Sequence, residues 1–209
     1  MLKKTLLSAT AIIVAALPFA ASAKEAGDLL VRARAIYVAP DESADISIGG
    51  KPAIDNSVMP ELDFSYFFTD NIAVELILAV TPHDVAAKGT ALGDVDLGDV
   101  TLLPPTLTLQ YHFMPKEKMS PYVGVGVNYT KFFDADVPSG GIVTDIDYDS
   151  SFGLALQAGI DYAINDRWLI NVDVKKIWIN TDVSINAGAV TADVDIDPWI
   201  FGFGVGYRF

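Results

Sequence analysis

Residues 199–209 read Trp199-Ile-Phe-Gly-Phe-Gly-Val-Gly-Tyr-Arg-Phe209, and this stretch decides the fold. Each odd position is large and apolar or aromatic: Trp199, Phe201, Phe203, Val205, Tyr207 and Phe209. The even positions from 202 onward are Gly202, Gly204, Gly206 and Arg208. A period of two sends these two sets to opposite faces of a β-strand. A soluble half-buried strand turns its bulk into a crowded core. Here aromatics crowd one face while glycines leave the other open, which suits a strand whose bulky side meets lipid outside a narrow barrel.

The amino terminus points to export. Met1-Leu2-Lys3-Lys4 is followed by an apolar run over residues 6–17 and then by Ala21-Ser22-Ala23. That is a charged start, an apolar segment too short to span a bilayer, and a small-x-small cleavage site. Residues 1–23 are therefore expected to be a cleaved signal peptide, and residues 24–209 one mature domain. The chain has a net charge of −13, and loss of Lys3 and Lys4 takes the mature part to −15. An acidic surface argues against nucleic acid as a partner. With no cysteine present, an exported fold must hold itself without disulfides. A closed barrel does so by pairing its backbone donors and acceptors between neighbouring strands. No run of about 18 apolar residues follows the signal, so the hydrophobic content of 51% has no helical explanation.

Alternation predicts eight strands, at residues 28–38, 59–68, 72–80, 106–113, 121–131, 151–164, 168–179 and 199–209. The connections alternate in length. Short ones lie at 69–71, 114–119 and 165–167, and long ones at 39–58, 81–105, 132–150 and 180–198. This pattern predicts an all-β fold, an eight-stranded antiparallel transmembrane β-barrel with short periplasmic turns and long extracellular loops. A soluble sandwich has no reason to lengthen every second connection. The long stretches are rich in aspartate, and residues 182–197 themselves alternate, which predicts that strands seven and eight continue as a hairpin above the membrane.

Strand parity places Arg32, Arg34, Lys175 and Arg208 inside, with Glu61, Asp63, Glu75, Asp161 and Asp173. An eight-stranded barrel is only wide enough for side chains or one small ligand, so these charges are expected to pair and fill it. Carboxylates poised for acid–base chemistry would need a cleft that such filling denies. If strand one rises from the periplasm, the upper inward positions are Ile36, Met59, Ile77, Ile177 and Ile200, all apolar. The lower ones include Arg32, Asp161, Asn171 and Arg208. The expected lumen is a hydrophobic pocket open to the outside and closed below by a charged floor. Local packing beneath the loops is the other reading of the same apolar residues.

Other chemistry finds little support. His83 and His112 lie on different elements without metal-ligand spacing. Asp193-Val-Asp-Ile-Asp197 lacks the glycine and glutamate of a calcium loop, with Pro198 standing where the turn glycine is needed. Gly202, Gly204 and Gly206 open no helix and form no phosphate loop. No nucleophile–base constellation is present. An enzyme, a metal and a cofactor are not expected.

Several motifs together carry a family resemblance: Glu25-Ala-Gly27, Thr69-Asp-Asn-Ile-Ala-Val-Glu-Leu76, Leu103-Pro-Pro-Thr-Leu107, Pro121-Tyr-Val-Gly-Val-Gly-Val-Asn-Tyr-Thr130, Asp161-Tyr162, Asp197-Pro-Trp199 and Gly206-Tyr-Arg-Phe209. Over its whole mature length the chain resembles the outer membrane protein W family, small barrels of the Gram-negative outer membrane that include alkane-uptake proteins. The resemblance implies passive uptake of small hydrophobic molecules, which enter an apolar lumen and leave sideways through the wall into outer-membrane lipid. It also implies an apolar constriction on strands three and seven. Ile77 fits the first position; at the second, where a tryptophan can stand, this sequence has Lys175. The closing Tyr207 and Phe209 look like the signal read by the outer-membrane assembly machinery. Two other functions are a structural or adhesive barrel acting through its loops, and a soluble periplasmic carrier. Outward aromatics such as Tyr37, Tyr66, Tyr111, Tyr129 and Trp168 argue against the carrier.

Overall fold

The computed structural model describes residues 24–209; the expected signal peptide, residues 1–23, lies outside them. In chain order, β1 (Leu29–Ala39) leads through β2 (Ser43–Ile46) and β3 (Lys51–Ile54) to β4 (Ser57–Phe67). Then come β5 (Ile72–Ala79), β6 (Thr81–Thr90), β7 (Gly93–Leu103), β8 (Thr106–His112) and the long β9 (Met119–Asp136). The chain ends with β10 (Ile146–Tyr148), β11 (Ser151–Ala163), β12 (Trp168–Ile177), β13 (Asn180–Ile185), β14 (Val190–Asp195) and β15 (Trp199–Arg208).

Eight of these strands, β1, β4, β5, β8, β9, β11, β12 and β15, pair antiparallel in that order. The ring closes where β15 pairs back to β1, from Leu30↔Arg208 to Ala39↔Trp199. Closure leaves no edge for another chain to join. The alternation read from the sequence sets the two surfaces of this wall. Phe201, Phe203 and Val205 point outward and are exposed, as are Leu62, Leu76, Leu107, Val125, Leu154 and Val172 on the other strands. Aromatic pairs ring the end that carries both termini: Tyr66 with Phe68, Tyr111 with Phe113, and Trp168 and Phe209 with Tyr207. Tyr37, Tyr129, Phe152 and Trp199 are exposed near the other end. An apolar band between two aromatic belts is the surface a bilayer requires of a barrel.

On the inner face the glycines of β15 have a specific use. A Cβ on Gly204 would collide with the Ala33 carbonyl oxygen and stand 2.8 Å from Arg34 Cγ, and one on Gly206 would meet Arg32 Cγ at 3.1 Å. These two glycines admit the stems of two arginines to the barrel interior.

The stretches expected as long loops are themselves largely strand. β6 and β7 form a hairpin over part of the 81–105 stretch; β3 adds to one side of it and the upper half of β9 to the other. A separate sheet, ordered β10-β13-β14-β2, contains the hairpin expected within 182–197. Between the two sheets Val143, Ile146, Val183 and Ile185 pack with Val95, Leu97, Val190 and Val194. The β6–β7 hairpin escaped the pattern because its register shifts twice, between Val85 and Ala86 and between Ala87 and Thr90. Each such shift breaks the period of two.

Candidate functional site

The lower barrel is filled by an ion-paired plug. Arg32, with no exposed side-chain surface, donates to Asp63 Oδ1 at 2.9 Å, Ser65 Oγ at 2.7 Å and Glu75 Oε1 at 3.2 Å. It also forks onto both oxygens of Asp161, at 3.2 and 2.8 Å. One layer higher, Arg34 reaches Glu61 at 2.8 Å, Asp63 at 2.7 Å and Asp173 at 2.7 Å. Lys175 donates to Glu61 at 2.7 Å and to Asp173 at 3.2 Å. At the bottom Lys24, just before β1, donates to Asp161 at 2.7 Å and Ser120 at 3.0 Å, with His112 Nδ1 at 2.9 Å. Gln110 links Glu75 to Gln157, and Gln157 continues to Asp173. Four cations thus face five buried acids. Charges this deep persist only when paired and hydrogen-bonded.

The expected floor residues Arg32, Arg34, Glu61, Asp63, Glu75, Asp161 and Asp173 all meet in this network. Arg208 does not. It lies opposite Leu30, two residues beyond the level of Arg32, roughly 7 Å lower at the rise of a strand. There it bonds Asp28 at 3.3 Å and the Asp166 carbonyl at 2.6 Å, at the rim.

Above the plug the interior turns apolar. Ile36, Ile77, Ile177 and Ile200 are buried and face a small chamber of about 30 Å³, whose walls include Leu102, Ile196 and Pro104 and whose lower end is Lys175 with Glu61. Met59 packs against the same cluster. Lys175, read as the departure at the constriction, therefore joins the plug to the chamber and belongs to both. A second apolar space of about 140 Å³ lies between the two upper sheets. It shares His83, Leu102 and Ile196 with the chamber below. Its lining also includes Leu92 and Ile142, whose side chains are exposed to solvent.

The barrel wall has a weak point at the height of the lower chamber. β7 stops at Leu103 and β8 starts at Thr106, so Pro104 and Pro105 interrupt the ladder to β9. Neither proline has an N–H to give. The seam is spanned by one backbone bond, Tyr129 N–H to the Pro105 carbonyl at 3.1 Å, and by the buried Asn128 amide, which donates to the Pro104 carbonyl at 3.1 Å and to Thr106 Oγ1 at 2.9 Å.

A family model, that of the OmpW family, matches residues 25–209. The chain belongs to the OmpW family. The outer membrane protein W of Vibrio cholerae is 38% identical over 198 residues, covering 90% of this chain and 91% of that protein. A dibenzothiophene metabolism operon protein of Pseudomonas aeruginosa is 30% identical, covering 82% of this chain and 84% of its own length. The solved structure of the outer membrane protein OprG of P. aeruginosa superposes with a TM-score of 0.84 at 37% identity, covering 91% and 99% of the two chains. As a member of this family the chain is an outer-membrane β-barrel.

Within this OmpW barrel, sequence reading missed Lys24, His112, Gln110 and Gln157 as plug members. Strand parity already turned the last three inward, but only the register shows that Gln110 and Gln157 touch the acids and that His112 touches Lys24 and Gln110. Lys24 precedes any alternating segment and carried no such signal. The upper cavity was missed with the hairpin that forms one of its walls.

Proposed function

We propose that this barrel takes up small hydrophobic molecules passively and releases them sideways into the outer-membrane lipid. The observation that carries the reading is an apolar path that begins beside Leu92 and Ile142 and passes Leu102 and Ile196. It ends on the Lys175–Glu61 pair. An aqueous pore would need polar walls along that path and a passage through the plug. Here the plug leaves no opening among Arg32, Arg34 and their acids, all of which are buried. A solute that has reached the chamber needs another way out, and Pro104 borders it where the ladder to β9 is interrupted. The relative named for dibenzothiophene metabolism supports the same class of solute, because dibenzothiophene is uncharged and apolar. Exposed Phe209, at the end of the outward face of β15, supports the reading of Tyr207 and Phe209 as an assembly signal.

The test is uptake of a long-chain alkane by cells with and without the protein, together with Ile77→Asp. Ile77 is buried in the chamber wall, and a carboxylate there carries a high desolvation cost for any apolar solute passing it. The expected result is faster uptake with the wild type and a large drop with Ile77→Asp in barrels that still assemble. Equal rates with and without the protein would leave the structural or adhesive reading in its place.

A further inference from the structure

The floor of the lower chamber carries hydrogen-bonding capacity that a pure hydrocarbon does not use. An ammonium has three N–H donors, and Lys175 gives two of them, to Glu61 Oε1 at 2.7 Å and Asp173 Oδ2 at 3.2 Å. Arg34 Nε stands 2.8 Å from Glu61 Oε1 as an ion pair, without hydrogen-bond geometry. The other Glu61 oxygen, Oε2, has no bond to any described residue, and neither does the third Lys175 N–H. Both residues border the chamber. A charged donor and a charged acceptor therefore stand side by side at the closed end of a mostly apolar space, whose other polar side chains are Thr81, His83 and Thr106.

We propose that Lys175 and Glu61 form a head-group site for a primary alcohol, and that hydroxyl-headed apolar molecules are the preferred solutes of this barrel. The inference rests on the uptake reading above and narrows it. The hydroxyl oxygen accepts from Lys175 Nζ while its own hydrogen is donated to Glu61 Oε2, so one group satisfies both. A ketone or ester satisfies only Lys175, and an alkane satisfies neither. A carboxylate meets the Glu61 charge within a plug that already holds five acids against four bases. Size agrees with a head-first pose. The lower chamber, at about 30 Å³, takes little more than a head group, whereas the upper space of about 140 Å³ takes the tail. Leu102, Ile196 and His83 line both spaces.

The experiment compares 1-dodecanol with n-dodecane, using the wild type, Lys175→Met and the double variant Lys175→Met/Glu61→Leu. The double variant removes one charge of each sign, so it keeps the balance of the plug if the single variant fails to assemble. Uptake into cells gives the alcohol-to-alkane ratio relative to cells lacking the protein. Loss of hydrogen bonds to charged groups lowers that ratio by roughly tenfold. In the same protein reconstituted in lipid nanodiscs, the 15N resonance of the Lys175 side chain should move on addition of 1-dodecanol and stay with n-dodecane. An unchanged ratio in the double variant, or a Lys175 resonance indifferent to the alcohol, overturns the head-group site while leaving hydrophobic uptake intact. If neither solute enters faster with the protein than without it, the uptake reading fails, and the resonance alone decides whether the alcohol binds.

Discussion

The lower and upper parts of the barrel interior share one wall and obey opposite rules. Below, each charged side chain has named partners at fixed distances: Arg32 binds Asp63, Glu75 and Asp161, and Arg34 binds Glu61, Asp63 and Asp173. Above, Ile36, Ile77, Ile177 and Ile200 meet by shape alone and leave space between them. Hydrogen bonds demand particular partners, so the plug is specified and shut. Dispersion demands only contact, so the chamber can accept a guest. The difference lies wholly in the inward residue at each level, because the outward face is equally apolar throughout.

The largest expected effect comes from breaking the plug. Arg32→Met leaves Asp63, Glu75 and Asp161 short of their common cation, and removing one partner of a buried ion network costs about 3–5 kcal/mol. Urea unfolding followed by the shift in gel mobility of the folded barrel would register that loss. A change below about 1 kcal/mol, the scale of a surface ion pair, would mean that the plug fills the barrel without holding it. Next in size is Gly204→Ala, whose Cβ would collide with the Ala33 carbonyl oxygen. Overpacking of this kind costs about 1–3 kcal/mol, measured by the same unfolding, and it falls on the β15–β1 seam that closes the ring.

Gly204 also illustrates what could be read without coordinates. The final strand's two faces, the eight barrel strands and the inward set of charges all follow from a period of two, which closure of the ring does not alter. Pairing inside the lumen follows from register between strands far apart in sequence, and alternation carries no register. Arg208 shows the limit: its parity is inward, yet it sits one inward position below Arg32 and bonds at the rim. The upper sheets were legible only where alternation ran unbroken, as at 182–197, and not where bulges at Val85 and Ala87 interrupt it.

A smaller effect sharpens the contrast at the wall. Asn128 is a polar residue of the upper barrel that still obeys the rule of named partners, since its amide bonds the Pro104 carbonyl and Thr106 and its oxygen accepts from Thr130 at 2.7 Å. Asn128→Leu leaves these groups unpaired at a cost of about 1–2 kcal/mol. The expected outcome is a modestly less stable barrel with faster lateral release, read as a higher rate of alkane uptake at equal protein level. Unchanged or slower uptake would place the exit at another seam.

The smallest effect concerns His83, the titratable side chain that borders both the upper space and the chamber. It lies on β6, above the eight barrel strands, with Nδ1 2.8 Å from the Asp55 carbonyl. Burial pushes its pKa below the usual 6.5, although the Asp55 carbonyl, and Asp55 and Asp84 as charges, pull the other way. The folded protein therefore resists a proton that the unfolded chain accepts. His83 costs no stability above the ordinary value near 6.5; as pH falls below it the unfolded state gains the proton first, and stability declines until the folded pKa is passed. The urea midpoint should fall between pH 7.5 and pH 5.5 in the wild type and fall less in His83→Gln, which keeps a hydrogen-bonding side chain without the titration. An equal fall in both would take the pH response away from His83.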